Sequence, residues 1–225
     1  MNKSINIFLI LFLIPAMAFT IVVGFDITIE FFRTSGKFIP YQKTVFASFA
    51  GLFFLMGIRR SSKRWSGVRM VNQIAKYQWN EPVDKQRVTQ VNMYLIIEAI
   101  LHMMVSFVFL LLTPKSIWIA CVFFALGLDH LFFCIIGNVK KLWRVGVTNK
   151  AVVVADRDFK VLYFSGLRKV SVHQQSIFFD YIKELQLSFP TQCIKPENRQ
   201  SFVTKLEEKV DRDKVFFSES FKDFK

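Results

Sequence analysis

The sequence predicts an α-helical membrane protein with four transmembrane helices and a small antiparallel β domain capped by one C-terminal helix. Three observations predict it. Hydrophobic residues make up 52% of the 225, and phenylalanine alone contributes 27, a share above that of soluble domains. The apolar residues stand in long blocks that end near Gly137. Beyond Lys140 the pattern changes to short, β-branched or alternating runs.

The first span is predicted over about 5–25, interrupted by Pro15. Lys3, the apolar run and Ala16-Met17-Ala18 resemble a secretory signal with its cleavage site. Hydrophobicity continuing through Phe19, Ile21, Val22 and Val23 favours a retained anchor. The second span is predicted over about 39–58, with Lys43 reaching outward to the interface. Gly51 and Gly57 supply small residues that let helices approach closely.

Residues 59–92 form a basic connection. Trp65, Val68, Val71 and Ile74 recur every third residue beside Arg59, Arg60, Lys63, Arg64 and Arg69. That spacing predicts an amphipathic helix on the membrane surface, with Arg59, Arg60, Lys63, Arg64, Trp65 and Arg69 touching headgroups; a solvated basic loop is the alternative. Asn80-Glu81-Pro82 should break the helix.

The third and fourth spans, 94–113 and 116–137, form a hairpin. Each is about 20 residues, the length of a bilayer-crossing helix, and only Pro114 and Lys115 separate them. Glu98 and His102 lie in the first, Asp129 and His130 in the second. Counted from the turn at roughly 1.5 Å per residue, the four fall within about 6 Å of one depth. Ionisable groups in hydrocarbon are costly, so they pair or mark a pathway. One reading is an interhelical hydrogen-bonded cluster, with His102 matched to Asp129. The other is a proton relay or metal site built from two carboxylates and two imidazoles. No HExxH motif is present, and no metal ligand, cofactor or catalytic residue is assigned.

A formal charge of +13 raises the question of nucleic acid. The basic residues flank apolar runs, as beside anionic lipid, and the aromatics mark membrane segments, so nucleic acid is not the expected partner. Cys121, Cys134 and Cys193 are odd in number and far apart, which predicts no disulfide framework. Basic residues concentrate in 59–92 and after Gly137, against Lys115 alone at the hairpin turn. The positive-inside rule then places both rich regions, and with four spans both termini, in the cytoplasm.

Short runs at 143–148, 151–155, 160–164, 169–173, 176–182 and 184–189 predict six strands, with a hairpin at Asn149-Lys150. Pro196 opens a helix whose apolar stripe is Phe202, Leu206 and Val210 with Val203. Residues 211–225 read as a charged, frayed tail. Three pieces carry a family resemblance: Val147-Thr148-Asn149-Lys150, then Tyr163 through Val170, then Ile194-Lys195-Pro196 with the following helix. Together, 140–210 resemble the pleckstrin-homology-like domain of bacterial YcxB-like membrane proteins. The resemblance implies a non-enzymatic binding or scaffolding module at a bacterial inner membrane. It implies no defined ligand and supplies no catalytic residues. The partners expected of the whole chain are the bilayer with its anionic headgroups, from the basic residues, and an unidentified protein; a homo-oligomer is compatible with the sequence.

Overall fold

The computed structural model describes residues 2–211 and 213–224, with side chains described from residue 7 onward except those of residues 8 and 32. In chain order the elements are α1 (Asn2–Gly24), β1 (Thr28–Ile29), β2 (Thr34–Ser35), α2 (Gln42–Val71), β3 (Trp79–Pro82), α3 (Lys85–Leu112) and α4 (Ile117–Val139). The strands β4 (Arg144–Val147), β5 (Ala151–Ala155), β6 (Phe159–Tyr163), β7 (Leu167–His173), β8 (Ser176–Tyr181) and β9 (Gln186–Pro190) follow. The chain ends with α5 (Arg199–Lys209), β10 (Phe216–Phe217) and α6 (Glu219–Lys222).

Two compact units result. The first comprises Met1–Ser62 and Leu95–Phe133, the second Lys63–Tyr94 and Cys134–Lys225. Most of the connection predicted to belong with the membrane segments thus groups with the sheets.

The expectation of four transmembrane helices does not hold. Among the described residues, only α3 (Lys85–Leu112) and the segment Pro114–Val139 are long and apolar enough to cross a bilayer, and Leu9–Gly24 is a shorter apolar helix. Lys3, part of the predicted leader pattern, has a side chain outside the described residues. In α2, residues 45–58 are apolar but the same helix continues through Arg59, Arg60, Lys63, Arg64 and Arg69. Neither proline nor a turn sequence interrupts it at that point, so intrahelical hydrogen bonding runs on. One 30-residue helix replaces the predicted second span and separate surface helix.

The first unit is held together by an aromatic and small-residue core. Ala16, Phe46, Ala50, Phe53, Phe109 and Phe123 are buried in one cluster. Phe46 meets Phe19 and Phe53 meets Phe123, each pair at 5.1 Å between ring centroids. Gly57 is where α2 needs a missing side chain, because a Cβ there would come within 2.3 Å of Leu126 on α4. Gly51, by contrast, faces open space. The α3–α4 turn is closed by Ser116, whose hydroxyl donates to the Phe109 and Thr113 carbonyls. Lys115 donates to Gln42 at the start of α2 (2.6 Å).

In the second unit the six predicted strands form within a few residues of their expected bounds. Two four-stranded sheets are present, with orders β3-β4-β5-β6 and β10-β7-β8-β9. All pairings are antiparallel except β10 with β7. The outer strand β3 comes from the basic connection, where the sequence predicted only a helix break. Pro82 is tolerated there because an edge strand has a side that needs no donor. The described residues after Val210 do not fit a frayed tail: β10 extends the second sheet and Phe221 of α6 is fully buried. Phe202 on α5 meets Trp79 of β3 at 5.3 Å and Phe189 of β9 at 6.3 Å, so the closing helix packs on both sheets. Lys160 of β6 donates to the Ser188 carbonyl of β9 (2.7 Å).

Candidate functional site

The ionisable groups of the hairpin do gather, within the first unit, but with partners other than those expected. Glu98 and His102 share one face of α3, and Asp129 and His130 lie on α4. Glu98 sits between two cationic or potentially cationic groups. Arg60 Nη2 on α2 donates to both of its carboxylate oxygens (3.1 and 3.2 Å). His130 Nε2 lies 2.9 Å from Oε2, at ion-pair distance though without hydrogen-bond geometry. The His130 side chain is 3% exposed and that of Glu98 16%.

Both histidines are oriented by the helix that carries them. His102 Nδ1 lies 2.6 Å from the Glu98 carbonyl and His130 Nδ1 2.8 Å from the Leu126 carbonyl. A carbonyl oxygen only accepts, so each Nδ1 carries the hydrogen. The two rings lie 4.9 Å apart, and Phe123 covers His102 at 5.9 Å. With Nδ1 protonated, a neutral His130 presents a lone pair from Nε2 toward a carboxylate oxygen 2.9 Å away, which is repulsive. The contact is attractive when His130 carries both ring protons or when Glu98 holds one. Among the described residues, no group of three or more His, Cys, Asp or Glu is arranged to hold a metal ion.

Asp129 accepts from the Ser61 hydroxyl of α2 (2.9 Å), while His102 is engaged by Glu98 and His130. Sequence reasoning missed Arg60 and Ser61. The spacing of the basic connection points Arg60 toward headgroups, yet its side chain is only 22% exposed and paired to Glu98. Arg64, likewise expected at the surface, is 5% exposed. Lys63 and Trp65 are half-buried, and Arg59 and Arg69 are exposed. The available signal was position: Arg60 stands just past the end of one apolar run and Glu98 about one helical turn into the next.

No protein-family model, curated protein or solved structure significantly matches this chain. The pleckstrin-homology-like resemblance of residues 140–210 thus rests on the quoted motifs alone.

Proposed function

We propose that this chain is a membrane-anchored, non-enzymatic binding protein. The α3–α4 hairpin inserts in the bilayer, and the sheet-rich unit is a binding module of the pleckstrin-homology-like kind on the cytoplasmic side of a bacterial inner membrane. One observation carries the anchoring. Only 22% of the most apolar stretch of α3 and 39% of that of α4 is buried. The core helix of a water-soluble fold would hide most of such a stretch. Here Ile97, Leu101, Met104, Phe107, Phe124 and Phe132 are exposed. Soluble monomers rarely leave a contiguous apolar patch of more than a few hundred Å² in water. Basic residues crowd the two ends of the hairpin, and Lys115 stands alone at its turn, which favours a cytoplasmic base. The full chain expressed in bacteria should stay in the membrane pellet through an alkaline carbonate wash. Release into the supernatant would refute the anchoring.

A second reading, proton-coupled transport or sensing, draws on the Glu98–His130 contact. Glu98→Gln separates the two. A binding protein keeps its partners with this change, whereas a proton-coupled protein loses pH-driven dye response in proteoliposomes.

A further inference from the structure

The ends of the hairpin helices, within the second unit, hold a cleft of about 460 Å³. Its volume falls in the range of small-molecule sites, roughly 300–1,000 Å³. Lys85 opens α3, Lys141 follows the last turn of α4, and Lys195 precedes α5, and all three line the cleft. No carboxylate is among the lining residues. Lys195 has a carboxylate within reach, 3.5 Å away on Glu197, but that side chain is 72% exposed. Asn92 and Asn138 add amide groups at the same mouth, joined to each other at 2.8 Å. Trp143, 3% exposed, forms a wall. Its ring lies so close to Gly137 that a Cβ there would come within 2.2 Å of it, so the α4 end is shaped to receive it.

We infer that this cleft binds the phosphate group of an anionic lipid headgroup. The inference rests on the proposed membrane anchoring. Asn92 and Asn138 stand one or two residues outside the apolar runs 94–113 and 116–137, the level at which headgroups meet an inserted hairpin. Three ammonium groups answer a phosphate, and basic pockets at the cytoplasmic ends of membrane helices suit anionic lipids. The lack of a lining carboxylate decides the headgroup class. A choline or ethanolamine ammonium would meet only lysines there, while glycerol adds no charge.

The test is lipid retention by the full-length protein in detergent, read by native mass spectrometry, with phosphatidylglycerol, phosphatidylcholine and inorganic phosphate as probes. Wild type should retain phosphatidylglycerol over phosphatidylcholine. Changing Lys85→Gln, Lys141→Gln and Lys195→Gln together should weaken that retention roughly tenfold to a hundredfold. A control carrying Lys150→Gln, Lys183→Gln and Lys222→Gln, with the same net charge, should bind as wild type. Equal loss in the control, or none in the first variant, would overturn the site. Displacement of the lipid by millimolar inorganic phosphate would overturn the lipid source in favour of a free-anion site. Membrane pelleting of the cleft variant is read in parallel. A variant that pellets normally yet retains lipid like wild type defeats the site alone, whereas wild type that does not pellet defeats the anchoring.

Discussion

Two largely buried arginine–carboxylate pairs, one in each unit, serve opposite ends. In the sheet-rich unit Arg87 grips Asp156 through Nη2 (2.6 Å) and Nε (3.2 Å), both on the same oxygen. Cys193 Sγ lies 3.7 Å from that oxygen. Burial first, then the charge of Asp156, pushes the Cys193 thiol well above its ordinary range, so it stays neutral. The neighbouring carboxylate also holds the Arg87 guanidinium above its ordinary range against the opposing effect of burial. In the helical unit Arg60 reaches Glu98 through one nitrogen spread over two oxygens, and an imidazole lies against the same carboxylate. One arrangement fixes a helix start to a sheet end; the other shares one carboxylate between a guanidinium and an imidazole. The difference lies in the third partner, an inert thiol against a histidine.

The largest expected effect tests the fixed pair. Asp156→Ala leaves the Arg87 guanidinium, 14% exposed, without its carboxylate. The loss should be about 3–5 kcal/mol of unfolding free energy, as for other broken buried pairs. Denaturant titration measures it, and a loss under about 1 kcal/mol would mean that water or another group replaces the carboxylate at little cost.

The Glu98–His130 contact should give a smaller effect. A double-mutant cycle of Glu98→Gln and His130→Gln should yield a coupling of about 1 kcal/mol, typical of polar contacts between membrane helices. Arg60 and His102 face the same carboxylate and imidazole, and Asp129 and Ser61 adjoin them, so all four are kept as they are. The matching cycle for Arg87 and Asp156 should give a larger coupling, because that pair is the more buried of the two. Equal coupling in both would erase the contrast.

The smallest effect concerns burial without charge. The Tyr181 hydroxyl is buried with no hydrogen-bond partner, and burial pushes its pKa up to about 12. Between the ordinary tyrosine value of about 10 and that value, the unfolded chain loses the proton while the folded chain keeps it. Stability conferred by the neutral hydroxyl is therefore present below pH 10 and declines as pH rises toward 12. Tyr181→Phe should be within about 0.5 kcal/mol of wild type at pH 7, since it removes an unpaired polar atom rather than a bond. It should also flatten the alkaline decline, as followed by thermal unfolding at pH 9 and pH 11.

The sheet-rich unit was the more legible of the two. Its six strands from β4 to β9 alternate or carry β-branched runs between turn residues, and Asn149-Lys150 does separate β4 from β5. The strands that escaped are short ones at the margins: β3 ends in a proline and β10 has two residues, so neither carries a periodic signal. In the helical unit the two strongest apolar runs emerged as α3 and α4. The α2 helix misled because a basic stretch was read as a boundary, and charge does not end a helix. The polar cluster was legible as a depth coincidence. Its pairing was not, because the chain in one dimension does not say which face of α2 meets Glu98. Arg60 and Ser61 supplied that answer only through the fold.

The account stands on the hairpin lying in lipid, and spin labels measure that directly. Met104 and Phe124 are exposed near the middle of the two apolar runs. Labels placed at Met104→Cys and Phe124→Cys, with the three natural cysteines replaced, would be read in liposomes against oxygen and a water-soluble nickel chelate. Strong relaxation by oxygen with almost none by nickel at both positions is the expected result. Equal or greater access for nickel would place the hairpin in water and contradict the membrane reading.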